Sequence, residues 1–506
     1  MRTYVFLIAC LFVLNTLLQA QPTYKEKYRP QFHFTPAKNW MNDPNGLIYH
    51  NGEYHLFYQH NPFGNRWGHM SWGHAVSTDL LHWKHLPVAI PEEDTVAIFS
   101  GTAVMDKNNT TGFATTATQV PMVAIYTAHV IGDSTKPDNY RQEQHIAYSL
   151  DNGRTFTKYS GNPVLDIGKK DFRDPKVFWH EPTRKWIMLV VLAQEHIIKF
   201  YNSPDLIQWT HISDFGPAGD FDEIWECSDL LEISVKNEPG KKKWVLINSQ
   251  QYTMQYFVGE FDGKKFINQN PPDKIYRPDY GPDYYAGITF NNLPDGHPPI
   301  LMGWVNNWKY ANDIPTHPWK SAMAIPRTLS LEKRKNEWIL LQTPHKAILG
   351  LGEEVHAWHH EVVKVKDKES VNANGQVIRL DVEWEAQKNI TAGIRIAVNG
   401  KRGLMIGYDA AKQKLFIDRS HASDTNFHKG FNEWSRYEAD LLPDSGKISL
   451  NILYDKSIVE VFANQGEVVM TAQIFPDEKN NGVEVFSKGG TTTFTKLTWH
   501  AVKSVW

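Results

Sequence analysis

From Phe32 to Leu341 the chain alternates apolar and polar residues in short runs, with almost no stretch of helical period. The runs are rich in aromatic and β-branched residues and are cut by Asn-Gly, Asp-Gly and Pro, a pattern that predicts strands joined by tight turns. Five segments share one plan: a polar pair, a short apolar strand, a turn, and a second apolar strand. The first opens at Asn42-Asp43-Pro44, continues over Gly46–Tyr49, turns at His50-Asn51-Gly52-Glu53 and returns over Tyr54–Gln59. The second opens at Phe99-Ser100-Gly101, runs through Thr102–Met105 and pairs later with Val123–Thr127. The third opens at Arg173-Asp174-Pro175, with strands over Lys176–Trp179 and Trp186–Leu192. The fourth opens at Trp225-Glu226-Cys227, with strands over Asp229–Ile233 and Trp244–Asn248. The fifth opens at Asp283-Tyr284-Tyr285, with strands over Gly287–Phe290 and Ile300–Val305.

A weaker repeat trails four of these units: Ser77-Thr78-Asp79-Leu80-Leu81-His82-Trp83 returns as Ser203-Pro204-Asp205-Leu206-Ile207-Gln208-Trp209, with degenerate copies near Asp151 and Asp262. Units of about 50–75 residues, each worth about four strands, predict an all-β domain built as a five-bladed β-propeller over 21–341. If every unit begins on its innermost strand, the opening residues gather at one mouth of a central channel. Asp43, Asp174 and Glu226 then meet although far apart in sequence. Asn-Asp-Pro and Arg-Asp-Pro also make good turns, but turn chemistry alone does not explain acids recurring in the openings of several repeats.

The pattern breaks over 342–357, where Thr343-Pro344, Gly350-Leu351-Gly352 and Glu353-Glu354 read as a linker. Clean alternation follows over Val377–Val382, Gly393–Val398, Leu415–Asp418, Lys447–Tyr454, Ile458–Phe462 and Val483–Phe486, which predicts a β-sandwich domain over 358–506. It contains no cluster of candidate catalytic residues.

Residues 1–20 read as a cleaved export signal: Arg2, an apolar stretch over Val5–Leu18, and Leu18-Gln19-Ala20 before a polar chain. Leu7-Ile8-Ala9-Cys10 resembles a lipid-attachment box, but the apolar run continues past Cys10, so simple cleavage and a secreted or periplasmic location are expected. The stretch is short for a membrane span. Beyond it Cys227 is the single thiol, so no intramolecular disulfide is available. A formal net charge of −3 gives no footprint for nucleic acid. His69, His74, His82 and His85 interleave with Trp72 and Trp83 as strand residues do and lack a ligand spacing, so no metal is expected. Thr-containing sequons at Asn108, Asn109 and Asn389 carry no inference about glycans.

Cleaving an acetal needs a protonated acid at the leaving oxygen and a carboxylate near the anomeric carbon. A short Asp fixed on a strand end suits the nucleophile, and a longer Glu suits the acid. Glu226, between Trp225 and Cys227, is expected in a partly apolar setting that raises its pKa. Asp43 and Asp174, beside Asn42 and Arg173, are expected to stay ionised. Arg173 is also open to a purely structural reading as the salt-bridge partner of Asp174.

Trp40-Met41-Asn42-Asp43-Pro44-Asn45-Gly46, Phe57-Tyr58-Gln59-His60-Asn61-Pro62, Phe99-Ser100-Gly101, Phe172-Arg173-Asp174-Pro175 and Trp225-Glu226-Cys227 resemble, in order, the motifs of glycoside hydrolase family 32. That is the family of invertases, exo-inulinases and levanases. Tyr454–Asn464 is similar to its second domain. The resemblance implies a propeller plus sandwich and a retaining hydrolase acting on levan, inulin or sucrose, with no cofactor. It implies Asp43 as nucleophile, Asp174 as transition-state stabiliser and Glu226 as acid/base. Asn42, Gln59, Trp67, Phe99, Ser100, Arg173 and Asp283 are implied as fructose-pocket residues, with Trp308 as an aromatic wall. Ser228 departs from the family's usual Pro after Trp-Glu-Cys. Trp67–Trp72 resembles the microbial fructan-degrading members. A fructosyltransferase would share every one of these residues, and a non-catalytic fructan binder is the third reading.

Overall fold

The computed structural model describes residues 24–132, 135, 139–357, 363–423 and 426–506. The expected leader over 1–20, with Cys10, lies outside the described residues. Among the described residues no helix is long and apolar enough to cross a membrane.

Each repeat unit folds into its own antiparallel sheet, with strands laid down in sequence order. The first comprises Asn39–His50, Glu53–Asn61, Ser71–Ser77 and Lys84–Ile90, with the short strand Trp319–Lys320 added in parallel beside Asn39 and Trp40. The second comprises Val96–Met105, Met122–Ile131, Tyr140–Ser149 and Thr157–Lys158. The third comprises Phe172–His180, Lys185–Leu192, Ile197–Ser203 and Thr210–Phe215, and the fourth Trp225–Ser234, Lys242–Gln250, Thr253–Phe261 and Phe266–Asn268. The fifth comprises Tyr285–Thr289, Ile300–Val305, Arg327–Arg334 and Glu337–Pro344, with Ala322–Met323 beside Ile300–Val305. The turn at Asn51-Gly52 puts both residues at positive φ, which Gly and Asn tolerate best.

The sheets close on one another. Ile48 and Phe57 of the first pack against Ile98 and Ala124 of the second. Val123 and Ile125 meet Val177 and Met188 of the third. Ile187 and Leu189 meet Leu230 and Leu246 of the fourth. Val245 and Ile247 meet Leu301 and Val305 of the fifth. Ile288 and Met302 return to Met41 and Leu56 of the first. The first strand of every sheet touches the first strands of its two neighbours, so all five share one axis.

Several buried polar groups along that axis are paired, as burial favours. Lys176 and Asp229 form an ion pair at 3.2 Å with side chains 3 % and 0 % exposed. Asp229 Oδ2 accepts from the Thr289 amide and hydroxyl, both at 2.7 Å. Asn291 Nδ2 donates to Thr102 Oγ1, Ala103 O and Val177 O, joining the second and third sheets. These bonds fix the register of the strands that carry the carboxylates.

The segment 342–357, read as a linker, contains regular elements. Glu337–Pro344 continues the fifth sheet, Lys346–Leu349 is a short helix, and Glu353–Ala357 pairs with Thr492–Ala501. Strand pairing stops at Pro344 and resumes at Glu353, so the break lies over 345–352. The C-terminal chain forms a seven-stranded and a six-stranded sheet. Leu380, Val382, Ile452 and Val461 of one share a core with Ile394, Ile406, Val483 and Val485 of the other. The six strands expected there all lie within observed strands.

The two parts are bound through buried charge. The Asp455 carboxylate accepts the backbone amides of Gln31, Phe32 and His33 at 2.6, 2.8 and 3.0 Å. His33 bridges Asp455 and Glu460 at 2.8 and 3.1 Å, and these partners hold its pKa up at about 9 against the opposing effect of burial. Arg327 of the fifth sheet pairs with Glu460 and with Asp279 at 2.5 and 2.9 Å.

Candidate active site

Every inner strand breaks its pairing at the same end. Two residues of the inner strand face one residue of the next strand at Asn42-Asp43, Phe99-Ser100, Asp174-Pro175, Cys227-Ser228 and Ala286-Gly287. Such bulges bend a strand and re-aim a side chain. Asp174, Cys227 and Ala286 take φ values of 64°, 47° and 51°, left-handed conformations that cost a non-glycine residue about 1–2 kcal/mol. Part of that cost is offset locally, since the Asp174 amide donates to Thr127 Oγ1 at 2.9 Å.

The bulges open onto a cavity of about 380 Å³ whose lining includes Asn42, Asp43, Gln59, Trp67, Phe99, Ser100, Arg173, Asp174, Glu226 and Trp308. Thus ten of the eleven residues named from sequence come together. Asp43 Oδ2 accepts from Ser100 Oγ at 2.8 Å. Asp174 Oδ2 accepts from the Cys227 amide at 3.0 Å. The Cys227 sulfur stands 3.7 Å from Asp43 Oδ2 and 3.6 Å from Asp174 Oδ2, so one thiol spans the two aspartates. Trp40 Nε1 donates to Asn42 Oδ1 at 2.7 Å, fixing the amide beside Asp43.

Glu226 is the carboxyl at the open side, its side chain 19 % exposed against 7 % for Asp174. Arg173 Nε and Nη2 donate to Glu226 Oε1 at 3.1 and 3.0 Å, and Tyr285 OH donates to Oε2 at 2.5 Å. The environments are therefore the reverse in kind of those expected. The aspartates are the buried carboxyls, and the arginine predicted to serve Asp174 grips the glutamate. Burial raises the Asp43 carboxyl above its ordinary value, and the Glu226 charge acts in the same direction. Burial likewise pushes Asp174 up to about 7, with Arg173 opposing and Glu226 and Asp43 adding to the rise.

Asp283 is the exception. It is fully buried and absent from the cavity lining. Its carboxylate accepts from Tyr310 OH at 2.6 Å, Arg419 Nη1 at 2.7 Å and the Gln473 amide at 2.7 Å, all away from the other carboxylates. The reason is phase. In the fifth sheet the residue before the bulge is Tyr285, the counterpart of Glu226, and Asp283 precedes the strand altogether.

Sequence reasoning missed Tyr285 and the polar lining residues His129, Tyr140, Gln142, Asp171 and Gln251. Alignment of the units on their bulges would have found Tyr285. The remaining five sit on outer strands or connecting turns and carry no repeat signal. Phe99 stacks on His129 with centroids 4.7 Å apart, and His129 meets Tyr140 at 4.7 Å, extending the aromatic side of the cavity.

The N-terminal domain model of glycosyl hydrolases family 32 matches residues 33–344, and the family's C-terminal model matches 349–501. The chain belongs to glycosyl hydrolases family 32. Within the family it is 44 % identical to a levanase of Bacillus subtilis, over 96 % of this chain and 72 % of the relative. It is 38 % identical to an extracellular exo-inulinase of Aspergillus awamori over 96 % of each. A crystal structure of exo-inulinase from Aspergillus awamori superposes with a TM-score of 0.90 at 37 % identity, covering 96 % of this chain and 100 % of that one. A fructofuranosidase from Schwanniomyces occidentalis complexed with fructose does so at 0.82 and 32 % identity, covering 96 % and 100 %. The family read from the motifs is the family matched along the chain, and by that membership the protein is a glycoside hydrolase.

Proposed function

We propose that this protein releases fructose from β-fructans, levan or inulin, and from sucrose, by double displacement with retention. The observation that carries the reading is the meeting of Asp43, Asp174 and Glu226, from three sheets, in one cavity. Asp43 is the nucleophile: Oδ2 is steadied by Ser100, and Oδ1 has no hydrogen-bond partner among the described residues. Glu226 gives its proton to the leaving sugar oxygen as Asp43 closes a bond to the anomeric carbon. Water, deprotonated by Glu226, then releases fructose and restores both carboxyls. Asp174 takes hydrogen bonds from sugar hydroxyls and stabilises the oxocarbenium-like charge. Asn42, Gln59, Trp67, Phe99, Ser100, Arg173 and Trp308 bind the sugar.

The five sheets are read as the blades of a five-bladed β-propeller, and the two C-terminal sheets as a β-sandwich. Residues 1–20 are read as a cleaved leader of a secreted or periplasmic enzyme, a reading supported by relatives named extracellular. Turnover in the presence of methanol tests the chemistry. Retention yields methyl β-fructofuranoside, and a predominance of the α anomer would overturn it. Glu226→Gln is expected to lower kcat on sucrose by about 10²–10⁴ while sparing only the first step, formation of the glycosyl-enzyme, with a fructoside whose leaving group needs no proton.

A further inference from the structure

We propose that the C-terminal chain positions the wall of the catalytic cavity through the connection between the strands Lys414–Asp418 and Arg436–Asp440, with Trp434 and Arg419 acting on Trp308 and Trp67 through the segment 306–316. The inference rests on the reading of the cavity as the sugar site.

Trp308 lines the cavity, stacked on Trp40 at 6.1 Å between centroids and packed on Trp304 at 4.8 Å. The next two residues both leave the catalytic sheets. Lys309 Nζ sits 3.0 Å from the centroid of the Trp434 ring and 4.8 Å from that of Tyr252. Tyr310 OH donates to Asp283 and accepts from Arg419 Nη2 at 2.9 Å, and Phe431 lies edge-on to the Tyr310 ring at 5.1 Å. Arg419, Phe431 and Trp434 all come from the C-terminal chain. Two residues beyond Tyr310 the segment reaches a second wall: Asn312 Oδ1 accepts the Trp67 amide at 3.0 Å. One short segment therefore carries one aromatic wall, anchors another, and is gripped between them by residues that never touch substrate.

This accounts for Asp283. Its charge is the socket through which Arg419 holds Tyr310, so its placement beside a catalytic-sheet strand serves the cavity at one remove. Trp434 and Arg419 are positioning residues, and loosening the grip should widen the cavity without disturbing the carboxylates, which their own bulges hold.

The test compares Trp434→Ala, Trp434→Phe and Lys309→Met in the full chain, with kcat and KM measured on sucrose and on inulin, and with thermal unfolding followed alongside. A cation–π contact of this kind corresponds to about a three- to tenfold rise in KM when lost. Trp434→Ala and Lys309→Met are expected to show that rise with kcat on sucrose within about twofold of wild type. Trp434→Phe should return KM toward wild type, and a variant combining Trp434→Ala with Lys309→Met should be no worse than the worse single, since both remove one contact. Lys309→Met opens no cavity and gives the same readout if Trp434→Ala fails to fold. An unchanged KM in folded Lys309→Met or Trp434→Ala overturns the inference. So does a parallel fall of kcat and melting temperature that Trp434→Phe does not rescue. A wild type that hydrolyses neither sugar removes the catalytic reading itself, and this inference with it.

Discussion

Arg173 gives its fork to Glu226, not to its sequence neighbour Asp174: Nε lies 3.1 Å from Glu226 Oε1 and 3.9 Å from Asp174 Oδ2. The third sheet thus supplies both a buried carboxylate and the cation that steadies the fourth sheet's glutamate. Its Nη1 is anchored by Asp171 Oδ1 at 3.0 Å, so the fork is held from behind.

Arg173→Gln keeps a donor but removes this charge, and kcat/KM should fall about 100-fold or more. Arg173 lowers Asp174, so without it the Asp174 carboxyl rises further. The acid limb of kcat/KM, which reports the free enzyme, should shift to higher pH. An unshifted limb would show that Arg173 does not act on these carboxyls.

Asp174 connects catalysis to stability. Its carboxyl is raised from an ordinary value of 3.8 to about 7. Between those values the unfolded chain releases its proton while the folded chain keeps it, so each step up in pH favours unfolding. Asp174→Asn removes that effect and retains an acceptor for the Cys227 amide. The inactive variant should melt several degrees above wild type at pH 7, with the gap closing as the pH falls toward 4. Melting curves across that range check this, and a gap that stays constant or widens on acidification would contradict it.

Cys227 is buried between two aspartates, and burial first, then their charges, push its thiol well above its ordinary value. Thiolate is the reactive form. Iodoacetamide should therefore leave Cys227 unlabelled in the native protein at pH 8 and label it fully in denaturant, read by peptide mass mapping. Cys227→Ala should reduce kcat modestly, since it removes a weak S–H donor and keeps the amide that binds Asp174.

Much of this was legible in the chain. The turn at Asn51-Gly52, the alternation over Val377–Val382 and the acids opening the first, third and fourth units followed from local pattern, because period and turn chemistry are local properties. The carboxyl environments were not legible. Whether Arg173 turns to Asp174 or to Glu226 depends on the bulge that sets the Asp174 backbone at φ 64°. Tyr285 and Asp283 show the same limit from two sides. The repeat placed both near the axis, but only the register of pairing with Ile300–Val305 tells which one reaches the carboxylates. Asp283 answers to Arg419, a residue 136 positions away, just past the strand Lys414–Asp418 of the C-terminal chain.

The central claim is that Asp43 becomes covalently bonded to the sugar. Glu226→Gln, incubated with a fructoside bearing a good leaving group and quenched in acid, should accumulate the glycosyl-enzyme because the base for its hydrolysis is gone. Peptide mass spectrometry should then find one added anhydrofructose on the peptide containing Asp43, abolished by Asp43→Asn. The adduct on the Asp174 peptide, or product formation with α configuration and no adduct at all, would contradict the account.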